Sequence, residues 1–264
     1  MSDAVHPLSE QISQAATSPA RSQELTLSDL RAAMAAGWQD FRAFPQFGLF
    51  FGATYVAAGL LIWAVLFKGG QLAWLVPAAA GFPLVAPFVA VGLYEVSRRR
   101  EAGLPIGWRT VLLALKGRGD EQIISMGVIV FVAFGFWLMV AHGIFAIFLA
   151  ESGSSAESLA WLATRAGVAM LLVGSAVGAV MAFAFYAITV ISLPMLVDRE
   201  VDFLTAIFTS IATVRANRVV MIGWAIVIAA ILFVAMLPLF LGLLVALPVL
   251  AHATWHLYRR AVPS

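Results

Sequence analysis

The stretch PMLVDREVDFLTAIFTSIATVRANR, Pro194 to Arg218, lies between two long apolar runs and is too polar to belong to either. From Val201 onward, Phe203, Leu204, Ile207, Phe208, Ile211 and Val214 recur at three- and four-residue steps, with Asp202, Thr205, Thr209 and Thr213 on the other side. That spacing predicts an amphipathic helix. Asp198, Glu200 and Asp202 crowd its start and Arg215 and Arg218 its end, as a helix dipole favours. Between membrane spans, such a helix lies in the interface or packs under the bundle. Phe203, Ile207 and Ile211 are expected to anchor it, and its threonines to matter little.

The flanking runs set the class. Hydrophobic residues make up 62% of the 264-residue chain and charged ones 11%, which excludes an ordinary soluble domain. Apolar runs longer than 18 residues recur, each able to cross about 30 Å of hydrocarbon. The reading is an all-α polytopic membrane bundle of about six spans, near 46–67, 72–97, 122–149, 159–193, 219–237 and 239–257. Residues 1–24 are polar, with no hydrophobic region, and read as a disordered tail; 25–260 form the membrane domain. There are no cysteines, so disulfides and thiolate chemistry are excluded.

Two further amphipathic segments precede spans. Thr26 to Arg42 carries the stripe Leu27, Leu30, Met34, Trp38 and Phe41 behind a capping-box start, Thr26-x-x-Asp29. In the 98–121 connection, Leu104, Trp108, Val111, Leu112 and Leu115 share a face, with Pro105 suited to the first turn. A shift of 99 residues places Trp108 on Ile207 and Leu115 on Val214, and one of 173 places Asp29 on Asp202 and Trp38 on Ile211. The unit is an amphipathic helix followed by two spans, three times over, and duplication and shared periodicity both stay open as its origin. Bases give the orientation. The N-terminal segment, the 98–121 and 198–218 connections and the C-terminus hold 14 of the 16 Lys and Arg, so both termini and the amphipathic helices are expected to be cytoplasmic.

Few residues promise chemistry. His252 and His256 lie four apart near the cytoplasmic end of the sixth span, where they form a metal edge or, more plainly, part of an interfacial belt. His142 falls nearer the opposite face and is expected to be a buried, hydrogen-bonded histidine. Glu95, just before Arg98, Arg99 and Arg100, suits an ion pair more than an ion route, and the arginine run suits anchoring or anionic headgroups. Gly174-x-x-x-Gly178 is a close-packing signal. Pro83 and Pro87, with Pro77, should kink or unwind the second span. No phosphate loop, zincin motif or nucleophile elbow occurs. Neither an enzymatic activity nor a cofactor is expected.

The stretches LTLSDLRAAMAAGWQDF, AAAGFPLVAPFVAVGLYEVSRRREAG, ISLPMLVDREVDFLTAI and HATWHLYRR resemble a bacterial, largely proteobacterial, family of integral membrane proteins of unknown function. The resemblance covers about Leu25 to Arg260 and implies an inner-membrane protein with six or so spans. Some members carry a cytochrome c oxidase subunit I label. Such a subunit resembles a twelve-span protein with six histidines for its metals, whereas this chain has four, one of them His6 in the tail. The expected role is therefore that of an accessory, assembly or scaffolding protein in the bilayer, associated with a respiratory complex and binding no nucleic acid. The alternative is a transporter or channel for a small or lipidic solute, built around the kinked second span.

Overall fold

The computed structural model describes residues 23–68, 90–114, 122–152 and 162–263, and no strand occurs among them. The helices are α1 (Leu27–Ala43), α2 (Pro45–Lys68), α3 (Val91–Glu101), α4 (Trp108–Leu113), α5 (Gln122–Ser152), α6 (Arg165–Thr189), α7 (Ser192–Asp198), α8 (Phe203–Ala216), α9 (Arg218–Met236) and α10 (Leu243–Ala261). Among the described residues four stretches are long and apolar enough to cross a bilayer: Pro45–Leu66, Gln122–Ala150, Arg165–Asp198 and Arg218–Met236. Of the expected second span only the end, α3, is described. Pro77, Pro83 and Pro87 lie outside the described residues, as does most of the N-terminal tail.

The helix at the expected sixth span, α10, is not one of these four stretches, and the others assemble around it. α10 packs along α1 and also meets α2, α3, α7 and α9. Its Trp255, Leu257, Tyr258 and His252 are fully buried. Because it is enclosed by helices, it carries polar side chains that a lipid-facing span would exclude. At Gly37 the α1 and α10 backbones nearly touch: a Cβ there would stand 2.5 Å from the Ala253 nitrogen and 2.7 Å from the Val249 carbonyl oxygen. The turn from α9 into α10 is tight. Leu239 and Phe240 sit at φ 50° and 65°, in the left-handed region that costs non-glycine residues about 1–3 kcal/mol.

Two expectations about the opening stretch change. The fourth span does not run unbroken to residue 193, because α6 ends at Thr189 and α7 restarts at Ser192. Pro194 explains the break: it has no N–H, and its ring crowds the carbonyl four residues back, at Val190. Residues 192–197 are then buried rather than interfacial. In α8 the threonine side faces the protein. Thr205, Ala206, Thr209, Ser210, Thr213 and Val214 are buried, whereas Leu204 and Phe208 are 51% and 61% exposed and Phe203, Ile207 and Ile211 are half-buried. Large apolar side chains lose nothing against lipid, and small ones let backbones close up. Two hydroxyls are met, Ser210 Oγ donating to the Ala187 carbonyl at 2.7 Å and Thr213 Oγ1 to the Thr209 carbonyl at 2.8 Å, whereas Thr209 Oγ1 is buried without a hydrogen-bond partner among the described residues.

In the other two amphipathic helices the expected stripe is divided, part of it packed and part exposed. α1 buries Leu30, Ala33, Gly37, Asp40 and Phe41 and exposes Leu27 and Trp38. α4 buries Val111 and exposes Trp108, Leu112 and Leu113; Pro105 precedes its N-cap, Gly107, rather than entering its first turn. At the N-terminus of α1 the capping box is present, with Asp29 accepting from the Thr26 N–H at 2.9 Å. One-residue junctions link α1 to α2 and α8 to α9, at Phe44 and Asn217, and these are 173 positions apart (217 − 44). The overlay seen in the sequence thus matches two equivalent helix-to-span joints.

Candidate functional site

Three helices bring five polar side chains together. α1 supplies Asp40, α3 supplies Ser97 and Arg100, and α10 supplies His252 and His256 one turn apart. Asp40 is buried at the centre. Its Oδ2 accepts from Ser97 Oγ at 2.5 Å and from His256 Nε2 at 2.8 Å, and its Oδ1 accepts from Arg100 Nη1. His252 Nδ1 lies 2.7 Å from Ser97 Oγ and 3.9 Å from Asp40. Since Ser97 has one hydrogen and gives it to the carboxylate, His252 donates through Nδ1 to Ser97. That leaves His252 Nε2 as the acceptor nitrogen, buried and without a hydrogen-bond partner. Burial opposes the charge on Asp40, but hydrogen bonds from His256 and Ser97, with the charge of His256, outweigh it and hold the carboxyl down at about 2.

A layer of ion pairs surrounds this centre. Glu95 accepts from Arg98 through Nε and Nη2 at 2.7 and 2.8 Å, and from Arg99 Nε at 2.7 Å. Glu101 receives Trp255 Nε1 at 3.1 Å and Arg259 Nε at 3.2 Å. Asp198, at the end of α7, accepts from the Tyr258 hydroxyl at 2.8 Å and Arg259 Nη1 at 3.1 Å. Arg260 reaches Asp29 at 2.8 Å, and Arg199 donates to the carbonyls of Val262 and Pro263. Asn217 accepts from the Leu25 N–H at 2.7 Å and donates to the Gln23 carbonyl at 3.0 Å. The ends of α3, α7 and α10, the start of α1 and the α8–α9 joint are therefore tied on one face of the bundle.

The residues singled out in the sequence fall as follows. His252 and His256 both turn to the Asp40 centre. Glu95 is a buried ion-pair partner in the same layer. Gly178 lies under the Trp137 ring, where a Cβ would come within 2.8 Å, so it packs α6 on α5; Gly174 has nothing within 4 Å of its Cβ position. His142 stacks on Phe145 in α5, on a different element from the other two histidines. Among the described residues no group of three or more His, Asp or Glu is placed to hold a metal ion. Sequence reading missed Asp40, Ser97 and the coupling role of Arg100. Their one signal was a carboxylate, Asp40, among the small residues of α1.

Chemically, the arrangement can do two things. It clamps α1, α3 and α10 through charge-assisted bonds, which are the strong class of hydrogen bond. It also forms an unbroken line, His256 to Asp40 to Ser97 to His252, from a ring 22% exposed to one that is fully buried. In this order Asp40 holds both the serine and the His256 imidazole, and the serine gives its hydrogen to the carboxylate instead of to a histidine, unlike a nucleophile triad.

A helical bundle with four long apolar stretches and a charged layer closing one face defines a polytopic integral membrane protein. Residues 75–198 match the family model described as "Predicted integral membrane protein (DUF2189)". The match includes Glu95, Ser97, Arg100 and Gly178 and stops short of Asp40 and the α10 histidines. No curated protein and no solved structure matches the chain.

Proposed function

We propose that the chain is a non-enzymatic protein of the bacterial inner membrane. Both termini are cytoplasmic, and it serves as an accessory, assembly or scaffolding partner of a larger membrane assembly such as a respiratory complex. One observation carries this reading. The apolar window of the Arg165–Asp198 stretch is only 6% buried, against 28%, 22% and 28% for the other three. A span so little covered by the described residues, with the small residues Gly174, Ser175 and Ala179 along it, suits a partner helix. The polar centre, whose groups largely satisfy one another, serves the scaffold as a brace. Purification in gentle detergent, followed by mass spectrometry of co-purifying proteins, tests it. Gly174→Leu with Ala179→Leu should release the partner while leaving the chain's own melting temperature in place; unchanged co-purification would sink the proposal.

The line of hydrogen bonds from His256 to His252 favours a second reading, a transporter for a small or lipidic solute. The chain has no cysteine of its own, so single cysteines from Gly81 to Gly92 separate the two readings. A scaffold gives no labelling by a water-soluble thiol reagent between Phe82 and Ala90. A transporter gives a labelled helical face that its solute protects.

A further inference from the structure

Between α6 and α9 lies a cavity of about 390 Å³, within the range of about 300–1,000 Å³ typical of small-molecule sites. Its lining is almost wholly apolar and runs from Ala179 to Val190 on one helix and from Ile222 to Leu232 on the other. At 1.5 Å per residue that is about 15 Å along each axis, half of the roughly 30 Å hydrocarbon core. The cavity is therefore one leaflet long. Ile222, Ile226 and Phe183 on its rim are exposed, so it opens sideways toward lipid.

Two residues from other helices close it from behind, Tyr94 on α3 and Thr254 on α10, only 3% and 6% exposed. The other hydroxyls of the lining are satisfied: Thr189 donates to the Phe185 carbonyl and Tyr186 to the Met221 carbonyl. The hydroxyls of Tyr94 and Thr254 make no hydrogen bond among the described residues, and neither oxygen is sealed inside the protein as that of Thr209 is, so both stay open at the cavity. A hydroxyl that faces an apolar cavity gains from a partner, and two at one cavity suit an acceptor brought by the occupant. Their height in the bundle is fixed by their neighbours. Tyr94 precedes Glu95, and Thr254 lies between His252 and His256, so the polar end of the cavity borders the charged layer. An apolar tail about 15 Å long with an oxygen acceptor at its interfacial end is an esterified acyl chain. We propose that this cavity holds one acyl chain of a membrane glycerolipid, its ester carbonyl accepting hydrogen bonds from Tyr94 and Thr254.

The test uses the full chain in nanodiscs containing a phospholipid with a diazirine in one acyl chain. Photolysis should place adducts on 179–190 and 222–232. Ala229→Trp, which fills the cavity, should abolish them while adducts at exposed Phe131 on α5 persist. Adducts that ignore the tryptophan would overturn the site. A second arm needs no filled cavity. Tyr94→Phe combined with Thr254→Val keeps the shape and removes both donors, so ester lipid retained through exchange into lipid-free detergent should fall about tenfold. An ether-linked lipid, lacking the carbonyl, should be held by wild type as weakly as the ester lipid is by the double variant. Equal retention of ester and ether lipids by wild type would overturn the carbonyl contact. Labelling by a diazirine fatty acid but not by the phospholipid would overturn the assignment to an esterified chain.

Discussion

Asp40 shows how much one side chain is asked to do. It is a buried carboxylate held by a serine, a histidine and an arginine from two other helices. Its folded pKa of about 2 lies below the unfolded value near 3.9, so its contribution is fully present above about pH 4 and is lost as pH falls toward 2. The difference is on the order of 2 kcal/mol. Thermal melts in detergent should show stability declining through that window. Asp40→Asn should start less stable at neutral pH, with Arg100 unmatched, and should lose less between pH 4 and 2 than wild type does. An unchanged acid slope would mean the carboxylate is not held as described. Gly37 is the other sensitive point. Gly37→Ala pushes a methyl into backbone atoms that cannot yield, at an expected cost of about 1–3 kcal/mol. Gly174→Ala meets nothing and should be neutral or stabilising by about 0.5–1 kcal/mol, the gain of alanine over glycine in a helix.

At the scale of the element, α8 offers the cleanest contrast. Its periodicity is that of an amphipathic helix, but the small hydroxyl side is the one that packs. Thr209→Leu and Ser210→Leu, at fully buried positions, should each cost about 1–3 kcal/mol through overpacking. Leu204→Ala and Phe208→Ala should leave the melting temperature in detergent nearly unchanged. The reverse pattern would show that the large apolar face is the packed one. In α10 the burial of His252, Trp255 and Tyr258 follows from enclosure by α1, α2, α3 and α7, a circumstance that its own periodicity does not record.

For the whole molecule, the hydrogen bonds joining residues 23–25, 101, 198–199, 217 and 259–263 place these segments on one face. It carries the segments that hold 14 of the 16 Lys and Arg, and it is the face proposed above to be cytoplasmic. Reporter fusions after Asn217 should read cytoplasmic and those after Pro238 external. An external signal at Asn217 would break the orientation.

Membrane class and helix content were determined by the sequence alone. Twenty-residue apolar runs have few ways to satisfy their backbone in lipid, and the helix is the simplest. Glu95 as an ion-pair partner was also legible, because Arg98 and Arg99 lie three and four residues away on one helix, where neighbours in sequence are neighbours in space. Only the tertiary structure decided which face of each amphipathic helix turns inward. In water a large apolar side chain is driven inside, but beside lipid it is indifferent, so close approach of small residues takes over. Asp40, Ser97 and His252 became a site for a related reason. They are up to 212 positions apart (252 − 40), and only the packing of α1 and α3 against α10 brings them within hydrogen-bonding reach.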